Sequence, residues 1–273
     1  DTDSMYITFD KLVGKVFGDK QDTAEVIDFL EKVAITKIEP FLAGIHKELS
    51  QLVHAYAEKL HMKREVIADK GIWTAKKRYI LNVHNNEGVK YSQPKLKMQG
   101  IEAIKTSTPS ACRDIIKKAI SMIMSGTEQQ VIDFIDEQRQ VFKTLSFEDV
   151  GFPRTLNGLE KYSDHAKLYK QKTPIHVKGA LIYNNMLKKL SLTNKYQAIN
   201  EGEKIKYCYL LMPNRTMDTV ISSAGALPKQ FDLDRSIDYD TQFDKGFVEP
   251  LKAILDAIGW RVEKQSSLEG FFG

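Results

Sequence analysis

Ile72-Trp73-Thr74-Ala75-Lys76-Lys77-Arg78-Tyr79-Ile80-Leu81-Asn82-Val83 is the stretch on which the reading of the fold turns. It is rich in β-branched and aromatic residues, and side chains two apart in an extended chain share a face. A strand over 72–83 sets Trp73, Ala75, Lys77, Tyr79, Leu81 and Val83 on one side, and Thr74, Lys76, Arg78 and Asn82 on the other. Residues 64–68 read as a strand before it. His84-Asn85-Asn86-Glu87-Gly88 supplies a turn into Val89-Lys90-Tyr91, and 95–98 is a further short strand that ends at Gly100. Neighbouring strands joined by tight turns predict an antiparallel sheet.

Helices flank this sheet on both sides in sequence. Asp22 is placed as an N-cap, and Val26, Ile27, Leu30, Val33 and Ile38 recur at helical spacing. Pro40 should kink or restart that helix, which is expected to continue to about residue 60 with His46, His54 and His61 along it. Downstream, Thr108 as N-cap, Pro109 at the first helical position and Gly126 past the end bracket another helix. Thr127-x-x-Gln130 is a capping box, opening a helix with Val131, Phe134, Ile135 and Phe142 on its apolar face. Residues 146–180 read as irregular, 180–190 as helix, 204–212 as strand and 247–259 as a final helix. The class is α+β: an antiparallel sheet with long helices, then a mainly helical part.

The chain of 273 residues is 42% apolar, enough for a large domain or two smaller ones. A net charge of +4 does not announce a polyanion partner, but residues 60–118 are crowded with Lys and Arg. Cys112 and Cys208 form no ligand spacing and no disulfide framework, which fits free thiols in a reducing, cytoplasmic setting. No apolar run approaches the roughly 18 residues of a membrane span. Phosphate-binding glycine loops, Cys-x-x-Cys pairs and clustered histidines are all absent from the sequence.

Three segments carry chemistry. Asp1-Thr2-Asp3-Ser4 aims two carboxylates at one point if it is extended, with 5–9 as the strand behind it. Such a pair suits Mg²⁺, although a turn or helix cap accounts equally for four residues. A calcium-binding loop fails here, because Tyr6 and Leu12 stand where Gly and Glu are required. An ammonium on Asp1 would repel a metal and no initiating Met is present, so polypeptide is expected to precede Asp1. Lys76, Lys77, Arg78 and Tyr79 form either a solvated strand or a nucleic-acid surface on which cations meet phosphates. Last, Leu268, Phe271 and Phe272 are apolar anchors on a polar tail, suited to a partner's pocket or to this chain's own surface.

In this order the segments resemble the C-terminal part of a family B DNA polymerase of the replicative type found in tailed bacteriophages. Asp1-Thr2-Asp3-Ser4 looks like the family's catalytic motif, and Lys76-Lys77-Arg78-Tyr79 like the following motif, which tracks the primer strand. Residues 95–102, with Lys95 and Lys97, continuing to Pro109, look like the palm-to-thumb junction. Lys161-Tyr162 and His176-Val177-Lys178-Gly179 resemble thumb contacts to the duplex. Gln265, Leu268, Phe271 and Phe272 fit the family's sliding-clamp box.

The resemblance implies a palm end over 1–100, a thumb over 101–260 and a clamp-binding tail over 261–273. It implies two Mg²⁺ ions, with Asp3 as direct ligand and Asp1 beside it, completed by residues outside this chain. Primer-template DNA, a nucleoside triphosphate, a sliding clamp and the N-terminal polymerase portion are the implied partners, and the chain alone is expected to be inactive. The family's other palm carboxylate, its fingers and its exonuclease are not in these residues. The competing reading is a non-catalytic module that binds duplex DNA and docks on a clamp.

Overall fold

The computed structural model describes residues 4–18 and 22–263. The chain divides after Gln99 into two compact units. In the first, α1 (Asp10–Phe17) and α2 (Thr23–Val33) precede a π-helical turn (Ala34–Ile38) and α3 (Glu39–Leu52). The antiparallel hairpins β1 (Val66–Ala75), β2 (Arg78–Asn86) and β3 (Val89–Gln99) follow, in the sheet order β1-β2-β3.

Asp22 caps α2 as expected, accepting from the N–H groups of Ala24 and Glu25. Pro40 is accommodated rather than kinked. The widened π turn, in which the Glu39 N–H donates to Ala34 O, delivers the proline into the first turn of α3, where its missing N–H costs nothing. The helix then stops at Leu52 instead of near residue 60. His54 takes a left-handed φ of 50°, the Ala55 N–H returns to Ser50 O, and the His54 N–H to Gln51 O. This is a Schellman end with a histidine in the usual glycine place. His54 and His61 therefore lie beyond the helix.

The larger correction concerns 72–83, which is two strands. Ala75 pairs with Arg78, so Lys76 and Lys77 form a two-residue turn, closed by a φ of 61° at Lys77. No Gly, Asn or Asp marks that turn, so period-two alternation runs straight across it in the sequence. Residues 64 and 65 lie ahead of β1, and the two expected short strands at 89–91 and 95–98 are one, β3. The stretch 5–9, expected as a strand, joins no sheet among the described residues.

One polar network ties α2 to the sheet. Buried Asn85 donates to Glu31 (3.1 Å) and accepts from Arg64 Nη1 (2.9 Å), while Arg64 Nη2 pairs with Glu31 at 2.6 Å. The Gly88 N–H also donates to Asn85 Oδ1 (3.0 Å), which fixes the β2–β3 turn. With every member satisfied, the network orders the hairpin against the helix.

The second unit opens with α4 (Ser110–Ser125) and α5 (Glu128–Phe142). Helix α4 starts one residue later than expected: Pro109 occupies the cap position and Thr108 is buried. The Thr127–Gln130 capping box forms in full. Gly126 is needed for room rather than for handedness, since a Cβ there would lie 2.9 Å from Met122 O.

Residues 146–180 hold α6 (Phe147–Val150), β4 (Phe152–Thr155), α7 (Leu159–Tyr162), and the two-residue strands β5 (Ser163–Asp164) and β6 (Leu168–Tyr169). Helix α8 (Ile175–Lys189), β7 (Lys204–Tyr209), β8 (Val220–Ser223), α9 (Tyr239–Phe243), a second π turn (Asp244–Val248) and α10 (Glu249–Ala257) complete the unit. A β4-β7-β8 antiparallel sheet carries α8 against β8. Ile116, Ile120, Phe142, Phe243, Phe247 and Leu251 are all fully buried.

Candidate nucleic-acid interface

The two-residue turn puts Lys76 and Lys77 at the exposed tip of the β1–β2 hairpin, with Arg78 and Tyr79 half-buried behind them. Pairing across the sheet sets Trp73 opposite Tyr79, and Tyr79 opposite Gln99. Paired residues and residues two apart share a face, so Tyr79, Lys97 and Lys95 lie on one side of the sheet. Tyr6 closes over that side. Its ring meets Trp73 edge-on at 5.1 Å and Tyr79 at 5.7 Å. Burial, then the hydrogen bond with Tyr79, pushes the Tyr6 phenol up to about 12, so the hydroxyl stays protonated. Lys97 pairs with Glu65, while the Lys95 ammonium stands 4.3 Å over the Tyr91 ring. The result is an aromatic platform flanked by cations, the combination that packs on sugars and bases while meeting phosphates.

In the second unit, Lys161 and Tyr162 end α7, with the Lys161 ammonium 5.3 Å from the Tyr162 ring. The Lys170 ammonium donates to Lys161 O at 2.7 Å, which braces the β5–β6 hairpin against α7. His176 sits in the first turn of α8. Burial, then nearby Arg154, holds its pKa below the ordinary value, so the imidazole is neutral at pH 7.

Lys178 is less available. Its ammonium pairs with Asp218 at 2.6 Å and lies 4.9 Å over the Tyr169 ring, whose hydroxyl donates to the other Asp218 oxygen at 2.6 Å. Burial pulls the Lys178 ammonium down, but hydrogen bonds to Asp218 and Tyr169 outweigh it and raise the pKa overall. Asp218 and Tyr169 were not singled out in the sequence. Asp218 lies 40 positions beyond Lys178, and no local pattern joins the two.

Asp1 and Asp3 lie outside the described residues, as do Gln265, Leu268, Phe271 and Phe272. Among the described residues no group of three or more His, Cys, Asp or Glu is gathered to hold a metal ion. No metal geometry is therefore assigned, and no chemical step is derived through one. No helix among these residues is long and apolar enough to cross a membrane.

Residues 29–258 match the family model for DNA polymerase family B. The chain belongs to DNA polymerase family B. Two relatives of this family B chain are the DNA-directed DNA polymerases of Enterobacteria phage T4, 30% identical, and Escherichia phage RB69, 32% identical, each over 286 aligned positions. Both alignments cover the whole chain and 31% of the relative, so this chain spans just under a third of their length.

Proposed function

We propose that this family B chain supplies the palm end, thumb and clamp-binding tail of a template-directed DNA polymerase acting in DNA replication. One observation carries the reading. An exposed turn of two lysines stands beside an aromatic platform, in a chain that aligns from end to end with DNA-directed DNA polymerases. Lys76, Lys77 and Arg78 meet backbone phosphates of the primer strand, and Tyr79, held by Tyr6, packs on its sugars. Lys95 and Lys97 continue that contact along β3. Lys161, Tyr162 and the α8 segment around His176 and Lys178 hold the duplex. Gln265, Leu268, Phe271 and Phe272 dock on a sliding clamp.

Asp3, with Asp1 beside it, is a carboxylate ligand for Mg²⁺, the set being completed by residues outside this chain. When bound, the metal pair supplies activation of the primer 3′-hydroxyl and stabilisation of the departing pyrophosphate. Asp3→Ala in the complete enzyme is expected to abolish nucleotide incorporation while leaving primer-template affinity within about twofold, because a ligand to metal is not a contact to phosphate. Primer-extension and equilibrium-binding assays read the two separately, and undiminished extension would overturn the assignment.

A further inference from the structure

Helix α3 buries none of its residues. Phe41, Ile45, Leu49 and Leu52 fall within an arc of about 80° at 100° per residue. They are 67%, 43%, 41% and 77% exposed. A one-sided apolar stripe is how a helix meets a core, and a contiguous exposed patch of this kind marks an interaction surface. Leu49 continues into an apolar recess lined also by Val53 and Leu60.

A second observation comes from residues 5–9, Met5-Tyr6-Ile7-Thr8-Phe9. Their composition is that of a strand, yet among the described residues they pair with none, and Met5, Tyr6 and Ile7 are about half exposed. Only the Tyr6 ring is held, against Trp73 and Tyr79. The first unit thus presents a strand without a ladder and a helix without a core. A row of unpaired backbone donors and acceptors is a template for an added strand.

We propose that residues 5–9 and the α3 stripe are the docking surface for the remainder of a family B polymerase polypeptide, which adds a β-strand along 5–9 and an apolar face over α3. This deepens the functional reading above and rests on it. The occupant follows from two facts. The relatives carry more than two thirds of their length outside the aligned segment, so a family polymerase has that much polypeptide to place against this portion. The surface also asks for a strand and an apolar face at once, which a folded domain provides and a short peptide does not.

The test uses the full 273-residue chain and, as its probe, a separately expressed polypeptide carrying the remaining polymerase sequence from the same source. Sedimentation velocity should show a one-to-one complex. The double variant Phe41→Glu/Leu52→Glu should weaken it at least about 100-fold, as expected for central apolar anchors. Ile7→Pro, which removes a ladder donor, should do the same through the strand. Lys47→Glu, on the opposite side of α3, should change affinity less than about threefold. Both altered α3 positions are exposed, so the melting temperature of the isolated chain should not fall, and a fall would mean that the stripe serves this chain's own core.

An undiminished complex with the double variant overturns the docking surface. So does a wild-type homodimer abolished by the same variant, since the occupant would then be a second copy. Primer extension by the mixed chains is scored separately. A complex that forms through this surface and synthesises no DNA refutes the functional reading and leaves the surface standing.

Discussion

Lys77 and Lys178 look alike in the sequence, each a cation near a tyrosine, but their surroundings give them opposite roles. Lys77 sits at a φ of 61° in a two-residue turn at the hairpin tip. A left-handed backbone costs an L-residue roughly 1–2 kcal/mol, and glycine avoids that while losing more chain entropy on folding. Lys77→Gly should therefore leave stability unchanged or raise it by up to about 1 kcal/mol. If Lys77 meets a phosphate, the same substitution lowers the slope of log K against log salt by about 0.9. Urea melts and salt-dependent binding to duplex DNA measure the two effects independently. An unchanged slope would assign the turn to solvent.

Lys178 behaves differently because its partner, Asp218, is buried. Removing one member of such a pair strands the other, so Lys178→Ala should cost about 3 kcal/mol of folding stability. The sign of the pH dependence follows from the raised pKa values of Lys178 and Tyr169. A group whose folded pKa lies above its unfolded one stabilises fully below the unfolded value, 10.5 for the ammonium and 10.0 for the phenol, and loses that contribution as pH rises through the folded one. Stability should decline above about pH 10, and Asp218→Asn should flatten the decline. Denaturant titrations at about pH 8 and 11 would show it, and parallel declines in both proteins would remove Asp218 as the cause.

At the scale of elements, what could be read depended on where the stabilising partner lies. The capping box at Thr127–Gln130 and the Asp22 cap were legible because donor and acceptor sit within three residues. The hairpin turn at Lys76-Lys77 was hidden, because its left-handed residue is a lysine. The end of α3 was hidden likewise by His54. The π turn before Pro40 leaves no mark on periodicity, since it shifts the helical phase by a single residue.

For the candidate site, the cationic motif could be read, but its aromatic platform and the Lys178–Asp218–Tyr169 lock could not. Those contacts join residues far apart in the chain. Gly179 shows the same limit. In the sequence it belongs to a motif resembling duplex contacts, whereas in the fold it lets α8 lie against β8. A Cβ there would meet Ser222 Oγ, the Ser222 backbone N at 2.8 Å and Ile221 C at 2.9 Å. The hydroxyl could rotate away; the backbone could not. Gly179→Ala should therefore destabilise by about 2 kcal/mol, overpacking outweighing the roughly 1 kcal/mol gain in helix propensity. Chemical denaturation measures it, and a stabilised variant would show that strand and helix can separate without loss.

Across the whole molecule, the two units differ in how much core they own. Among the described residues, Val13, Ala34, Ile72, Ile80, Leu81 and Val83 are the buried apolar residues of the first unit, while 39 belong to the second. Local stability follows buried apolar area, so the first unit should open at much lower free energy than the second. Within it, the sheet holds Ile80, Leu81, Val83 and the Asn85 network, whereas α3 contributes no buried side chain. Native-state hydrogen exchange is expected to rank α4 and α8 as most protected, β2 as intermediate, and α3 close to unprotected. At similar intrinsic rates, α3 amides should exchange at least about 1,000-fold faster than those of α4, a difference of about 4 kcal/mol at 1.4 kcal/mol per tenfold. Adding the remaining polymerase polypeptide should slow α3 selectively if the stripe is its seat, since a ligand stabilises what it contacts in the folded state. Equal protection of α3 and α4 in the chain alone would mean that the helix is stabilised by contacts other than burial of its apolar stripe, and the reasoning from exposure to docking would lose its premise.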